Sequence, residues 1–303
     1  MKYSLVVVFL LFIGIARSMP IPEVDDSVVF MPIVSTPFNN GKLGLAYWHG
    51  AFTQQHGREL NIGISHHWNT YTFGKYPAIP FIWCMGLSEN NPSSWQTMER
   101  LYGNQYDGYL FVGNEPDVPG QCGDYAGDNP NDSWARFTRF LSETFPHAKL
   151  ITPHTHARFF DEPSEHNGFS TIGFIEAYIN RYGEFPPIVG IGLHYGSPVS
   201  HAREAYYYLL QEYNQDLVIA YTEFQVCGGY QATYTTLQGL NNLPYVIGFF
   251  YYTNALPDPI PDHVSATCTL YDRDGDDLIM NERGEAVRDF GKNTVGTNAG
   301  VWQ

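Results

Sequence analysis

Tyr109-Leu-Phe-Val-Gly-Asn-Glu-Pro-Asp117 opens as an apolar run, Tyr109 to Val112, and stops at Gly113, Asn114, Glu115 and Pro116. Such a run, bounded by turn residues, reads as a buried strand. A strand buried on both faces tolerates no charge along its length. A carboxylate just past its carboxyl end therefore stands where an α/β fold places its chemistry. A solvated glutamate in a turn would leave the same trace. A second stretch of the same design, Leu217-Val-Ile-Ala-Tyr-Thr-Glu-Phe224, tips the reading, because it too delivers one carboxylate, Glu223, near its end. Two strands of this kind predict a paired-carboxylate site.

Outward from these two, further apolar runs predict strands over 43–48, 61–68, 78–85, 149–153, 189–195 and 245–252. Pro80 lacks a backbone donor and should sit at the start of its strand. Helical spacing predicts helices over 93–103, 169–182, 202–213, 233–243 and 285–291. Another begins at a cap on Asp132 or Ser133 and buries Trp134, Phe137, Phe140 and Leu141. Eight strands with helices between most of them predict an α/β fold, a (β/α)₈ barrel forming a single domain over 43–303.

Residues 1–18 combine a short basic start, an apolar stretch and a small-x-small ending, which predicts a secretory signal peptide; 19–42 reads as an N-terminal leader. The apolar stretch, Leu5 to Ile15, falls short of the ~20 residues of a membrane span. The protein is expected to be secreted. A net charge of −15 argues against nucleic acid and against an anionic membrane. Aromatic residues make up 16% of the chain, matching the charged residues at 16%, where about 25% charged is usual. In an exported protein such a surplus of rings favours a carbohydrate partner, though it also suits a large core. Asn131-Asp-Ser133 is a glycosylation sequon.

In the barrel, Glu115 and Glu223 converge at the mouth, where a sugar ring fits between them. Carboxyls ~5–5.5 Å apart suit a retaining glycosidase and ~6.5–9.5 Å an inverting one. Asn114 can orient a hydroxyl, and His194 and Tyr195 can bond the nucleophile. Trp48, Trp68, Trp83, Tyr251 and Tyr252 stand at or near strand ends, as does Asn69. Any one ring could simply pack; their clustering favours a stacking cleft. His154-x-His156 and His66-His67 lack an acidic partner at telling spacing, so no metal is expected there. Asp272-Arg-Asp-Gly-Asp-Asp277 departs from a calcium loop at its sixth and twelfth positions, Asp277 and Arg283, and reads as a turn. No cofactor is expected, and the chain is expected to act as a monomer. The four cysteines allow three pairings. Barrel adjacency predicts Cys84–Cys122 and Cys227–Cys268.

Gly113-Asn-Glu-Pro116 and Thr222-Glu223-Phe224 resemble the two signatures of the clan A glycoside hydrolases. His67-Trp-Asn69, Pro80-Phe-Ile-Trp-Cys-Met-Gly86, Gly113 to Gln121 and Leu193-His-Tyr-Gly196 are most similar to glycoside hydrolase family 128, the endo-β-1,3-glucanases. The likeness runs from Leu43 to Asn254. It departs from the family at strand six, where Leu-His-Tyr replaces the usual His-Trp-Tyr. The resemblance implies a retaining double displacement on a β-glucan, with Glu115 as acid/base, Glu223 as nucleophile and Asn114 on the sugar 2-hydroxyl. It also implies a raised pKa for Glu115. The competing expectations are a clan A enzyme acting on xylan or mannan, and a carbohydrate-binding barrel without catalysis.

Overall fold

The computed structural model describes residues 42–46, 59–60, 62, 64–66, 68, 70, 78–118, 120–122, 129–156, 168–194, 198–252, 268–274 and 277–294. Eight parallel strands run through it: β1 (Leu43–Ala46), β2 (Ile64–His66), β3 (Phe81–Ile82), β4 (Tyr109–Val112), β5 (Lys149–Thr155), β6 (Gly190–His194), β7 (Val218–Phe224) and β8 (Val246–Tyr252). They pair in the order β2-β1-β8-β7-β6-β5-β4-β3. The seam between β2 and β3 is bridged by a parallel contact of Ser65 with Ala78, where the Ile79 N–H donates to the Ser65 carbonyl at 3.1 Å. The expected (β/α)₈ barrel is the observed fold.

Helices α1 (Trp95–Tyr102), α2 (Pro130–Thr144), α3 (Thr171–Tyr182), α4 (Pro198–Tyr213) and α5 (Tyr230–Asn241) fall between successive strands from β3 onward. After β8 come a hairpin, β9 (Tyr271–Asp274) with β10 (Asp277–Met280), and α6 (Glu282–Asn293). Of the stretch read as a turn at 272–277, Asp272 to Asp274 lie on β9 and Asp277 opens β10. Helix α2 starts earlier than Asp132 or Ser133 would have it. Asn129 is the cap, its side chain accepting from the Asp132 N–H at 3.1 Å, and Pro130 takes the first turn, where its missing donor costs nothing. Strand β3 is shorter than expected and begins just after Pro80. Strand β5 is longer than expected and carries His154 inside the barrel.

Two apolar layers follow from the period of two. Odd and even positions of each strand face either the helices or the barrel axis. On β7, Ile219 and Tyr221 join the outer core, and Ala220 joins the inner one. The axis is filled by Phe81, Phe111 and Phe250 packed around His66 and His154, with centroid distances of 4.9 Å for His66–Phe250 and for Phe111–His154. Glycine makes room for these rings. A Cβ at Gly44 would stand 2.3 Å from Phe250, and one at Gly192 would stand 2.2 Å from the His154 Nδ1. At the end of β4, Gly113 has φ +82°, and a Cβ there would meet the Trp134 ring at 2.7 Å.

Candidate active site

Glu115 and Glu223 reach the mouth through breaks in strand regularity. After β4, Asn114 makes a parallel bridge to His154, and the Glu115 N–H donates to the His154 carbonyl at 2.7 Å. Glu115 then adopts φ +46°, left-handed backbone that costs a non-glycine residue ~1 kcal/mol or more and is common at functional sites. On β7 the register against β6 shifts between Leu193 and His194, and against β8 between Tyr221 and Phe224. Alternation alone would send Glu223 outward with Tyr221. The irregularity instead leaves Thr222 and Glu223 both inward while Phe224 returns to the outer core.

His194, fully buried at the end of β6, lies between the two acids. Its Nδ1 is 3.3 Å from the Glu115 Oε1, and its Nε2 is 3.6 Å from the Glu223 Oε1. One atom from each of the three side chains can be chosen so that all lie within 4.8 Å of one another. The two nitrogens face different carboxylates, so the imidazole bridges the acids instead of joining them around a single point. Trp68 donates its indole N–H to the Glu223 Oε1 at 2.7 Å.

Burial pushes the Glu223 carboxyl up to about 7, and the Glu115 charge adds to the rise; His194 and the Trp68 N–H oppose it. Burial alone would lower His194, but Glu223 and Glu115 outweigh it and its pKa is raised. Beneath them, His154 is held neutral by burial and by His194, well below the usual histidine range. Its Nε2 donates to the Ile151 carbonyl at 2.9 Å, so its Nδ1 accepts from the Thr222 hydroxyl, also at 2.9 Å. The His66 Nε2 donates to the Thr222 carbonyl at 2.5 Å. Thr222, next to Glu223, is therefore gripped from two sides.

Asn114 is buried, and its Nδ2 donates to the Gln121 Oε1 at 3.3 Å. Its Oδ1 is buried without a partner among the described residues, so a ligand hydroxyl in the mouth would satisfy it. Asp117, also buried, accepts from the His156 N–H at 3.0 Å. Trp83 is half-buried and packs against both apolar layers. Tyr252 ends β8 with its ring edge-on to Trp68 at 5.8 Å. Trp48, Asn69 and Tyr195 lie outside the described residues, as do the expected signal peptide and all of the leader but Lys42. Both expected disulfides are present, Cys84–Cys122 and Cys227–Cys268. No helix among the described residues is long and apolar enough to cross a membrane. Sequence reasoning had no place for Thr222 or for the inward side chains of His66 and His154. The available signal was parity, since Thr222 is two residues from Ala220 and shares its face.

No protein-family model matches the chain, and no curated protein does. Solved structures do. A subgroup II GH128 endo-β-1,3-glucanase from Pseudomonas viridiflava superposes with a TM-score of 0.59 at 15% identity, over 82% of this chain and 97% of that one. A subgroup I endo-β-1,3-glucanase from Amycolatopsis mediterranei, in complex with laminaritriose, gives 0.57 at 17% identity, over 82% and 99%. A curdlan-specific exo-β-1,3-glucanase of subgroup III from Blastomyces gilchristii, in complex with glucose, gives 0.52 at 16% identity, over 82% and 97%. The chain thus has the fold of GH128 β-1,3-glucanases.

Proposed function

We propose that the protein is a secreted retaining β-glycosidase that hydrolyses β-1,3-glucan within the chain. The observation that carries this reading is the pair of buried strand-end carboxyls bridged by one imidazole, with facing atoms within 4.8 Å. This close approach supports the retaining class, whose carboxyls lie ~5–5.5 Å apart. The likeness in fold to glucanases crystallised with laminari-oligosaccharides supports the choice of β-1,3-glucan. The signal-like start of the chain and two disulfides support export.

In this mechanism Glu223 attacks the anomeric carbon while Glu115 protonates the departing glycosidic oxygen. The Glu223–sugar bond forms as the glycosidic bond breaks, and its electron pair leaves on the newly protonated oxygen. Water then attacks the ester, Glu115 takes its proton, and Glu223 leaves as a carboxylate. For the first step Glu223 must be ionised and Glu115 protonated. His194, hydrogen-bonded to Glu115 at 3.3 Å and 3.6 Å from Glu223, stands between them as the group that would relay a proton from Glu223 to Glu115. Asn114 offers its free carbonyl oxygen to a hydroxyl of the sugar beside the reacting carbon.

A panel of laminarin, curdlan, xylan and mannan, with chromatography of the products and NMR of the first-formed anomer, tests the reading. Laminarin should be cut to oligosaccharides with the β-anomer formed first. E223A and E115Q should each lower turnover by at least 10³-fold with the folded far-UV spectrum kept, on the scale of losing an essential catalytic group. Near-normal activity in either variant would remove that residue from its role. Binding of laminarin without release of reducing ends would make the barrel a carbohydrate-binding protein.

A further inference from the structure

Trp68 stands among aromatic residues at the mouth, where a sugar platform is the ordinary expectation, but its polar edge is otherwise engaged. The indole Nε1 lies 2.7 Å from the Glu223 Oε1. The ring is held in that pose from several directions. The His66 ring meets it edge-on at 5.6 Å and 78°, and the Tyr252 ring meets it at 5.8 Å and 80°. Its own backbone carbonyl accepts from the buried Ser93 hydroxyl at 2.5 Å. A donor held in place by such contacts costs little reorganisation when charge moves on its acceptor.

We propose that Trp68 positions the nucleophile: its N–H pins Oε1 of Glu223 and leaves Oε2 as the oxygen that bonds to the sugar. This rests on the reading of Glu223 as nucleophile and adds to it which oxygen attacks and what holds the other. The nearest nitrogen of His194 also faces Oε1, but at 3.6 Å, so the short hydrogen bond to that atom is the one from Trp68. When Oε2 forms its bond to the anomeric carbon, Oε1 becomes an ester carbonyl oxygen and the carboxylate charge is lost. The Trp68 hydrogen bond weakens at that point. When water cleaves the ester, the charge returns to the carboxylate and the bond strengthens again. Trp68 therefore favours the ionised acid before attack and eases its departure in the second step.

W68F keeps an aromatic face and removes the donor, and it separates the two roles. On laminarin, the acid limb of kcat/KM should move to higher pH by about 1 unit, the scale of one hydrogen bond to a charged group. Turnover should fall ~10-fold with KM unchanged or lower, because deglycosylation is the slowed step. An unmoved acid limb with a raised KM would overturn the proposal and make Trp68 a sugar platform. The wild type set against E223Q gives a readout that does not depend on how W68F folds. Indole fluorescence should step with pH in the wild type, and the step should be missing from E223Q; matching titrations would also overturn the proposal. If E223A stays active on laminarin, the reading of the site fails. If E223A is inactive while W68F keeps its acid limb, only the role of Trp68 fails.

Discussion

At the scale of single residues, the mouth stores free energy that a more stable protein would not hold. Glu223 is buried and ordinarily titrates near 4.5, but its folded value is pushed up to about 7. Between those two values the folded chain binds this proton more tightly than the unfolded chain does. Its contribution to stability is therefore greatest at low pH and is lost as pH rises through about 7, since a group adds to stability with rising pH only where the unfolded state holds more protons. His194, also raised, acts in the same direction, because its contribution is present below its ordinary value and is lost as pH climbs through the folded one. E223Q removes the buried charge and keeps the shape. Thermal unfolding should show E223Q more stable than the wild type at pH 8.5, by an amount on the order of 1 kcal/mol, and nearly equal at pH 4. A variant less stable at pH 8.5 would mean that Glu223 is fully paired in its ionised form.

Among the secondary elements, strand ends were the most legible part of the sequence and strand irregularities the least. Apolar runs that stop at Asn114-Glu115 or reach Thr222-Glu223 announce the carboxyl face, because burial forbids charge earlier in the strand. The shifts at Leu193–His194 and Tyr221–Phe224 leave no such mark. They depend on how neighbouring strands tilt and stagger in the barrel, a tertiary property, so the inward turn of Glu223 was visible only as a partner in search of a geometry. The helix starts show the same limit. Asn129 outcompetes Asp132 as the cap of α2 only because Pro130 fits the first turn. Gly192 illustrates how a residue with no chemistry sets the site. It pairs with His154 on one side and Ala220 on the other, and its missing Cβ makes room for the imidazole that accepts from Thr222. G192A should push His154 off the Thr222 hydroxyl and cost about 1–3 kcal/mol in urea unfolding. Unchanged stability would mean that the His154 ring can step aside within the axis.

Across the whole molecule, the two disulfides tie neighbouring strands at the carboxyl face of the barrel. Cys84 follows β3 and Cys122 follows β4; Cys227 follows β7 and Cys268 follows β8. Each bridge thus joins neighbouring strands at the carboxyl face, one beside Glu115 and the other beside Glu223. The sheet order puts the two bridges on opposite sides of the mouth. They close loops with sequence separations of 38 and 41 residues. In the chain-entropy account, closing loops of that size stabilises the folded state by ~4 kcal/mol each. The bridges share no partners, so their contributions should add. Replacing either pair by serines should lower the guanidinium unfolding free energy by about 2–4 kcal/mol, since measured losses often fall below the entropic figure. Replacing both should remove most of the ~5–15 kcal/mol that a typical domain has to spare. A double replacement that unfolds no earlier than either single one would mean that one bridge constrains the unfolded chain enough for both.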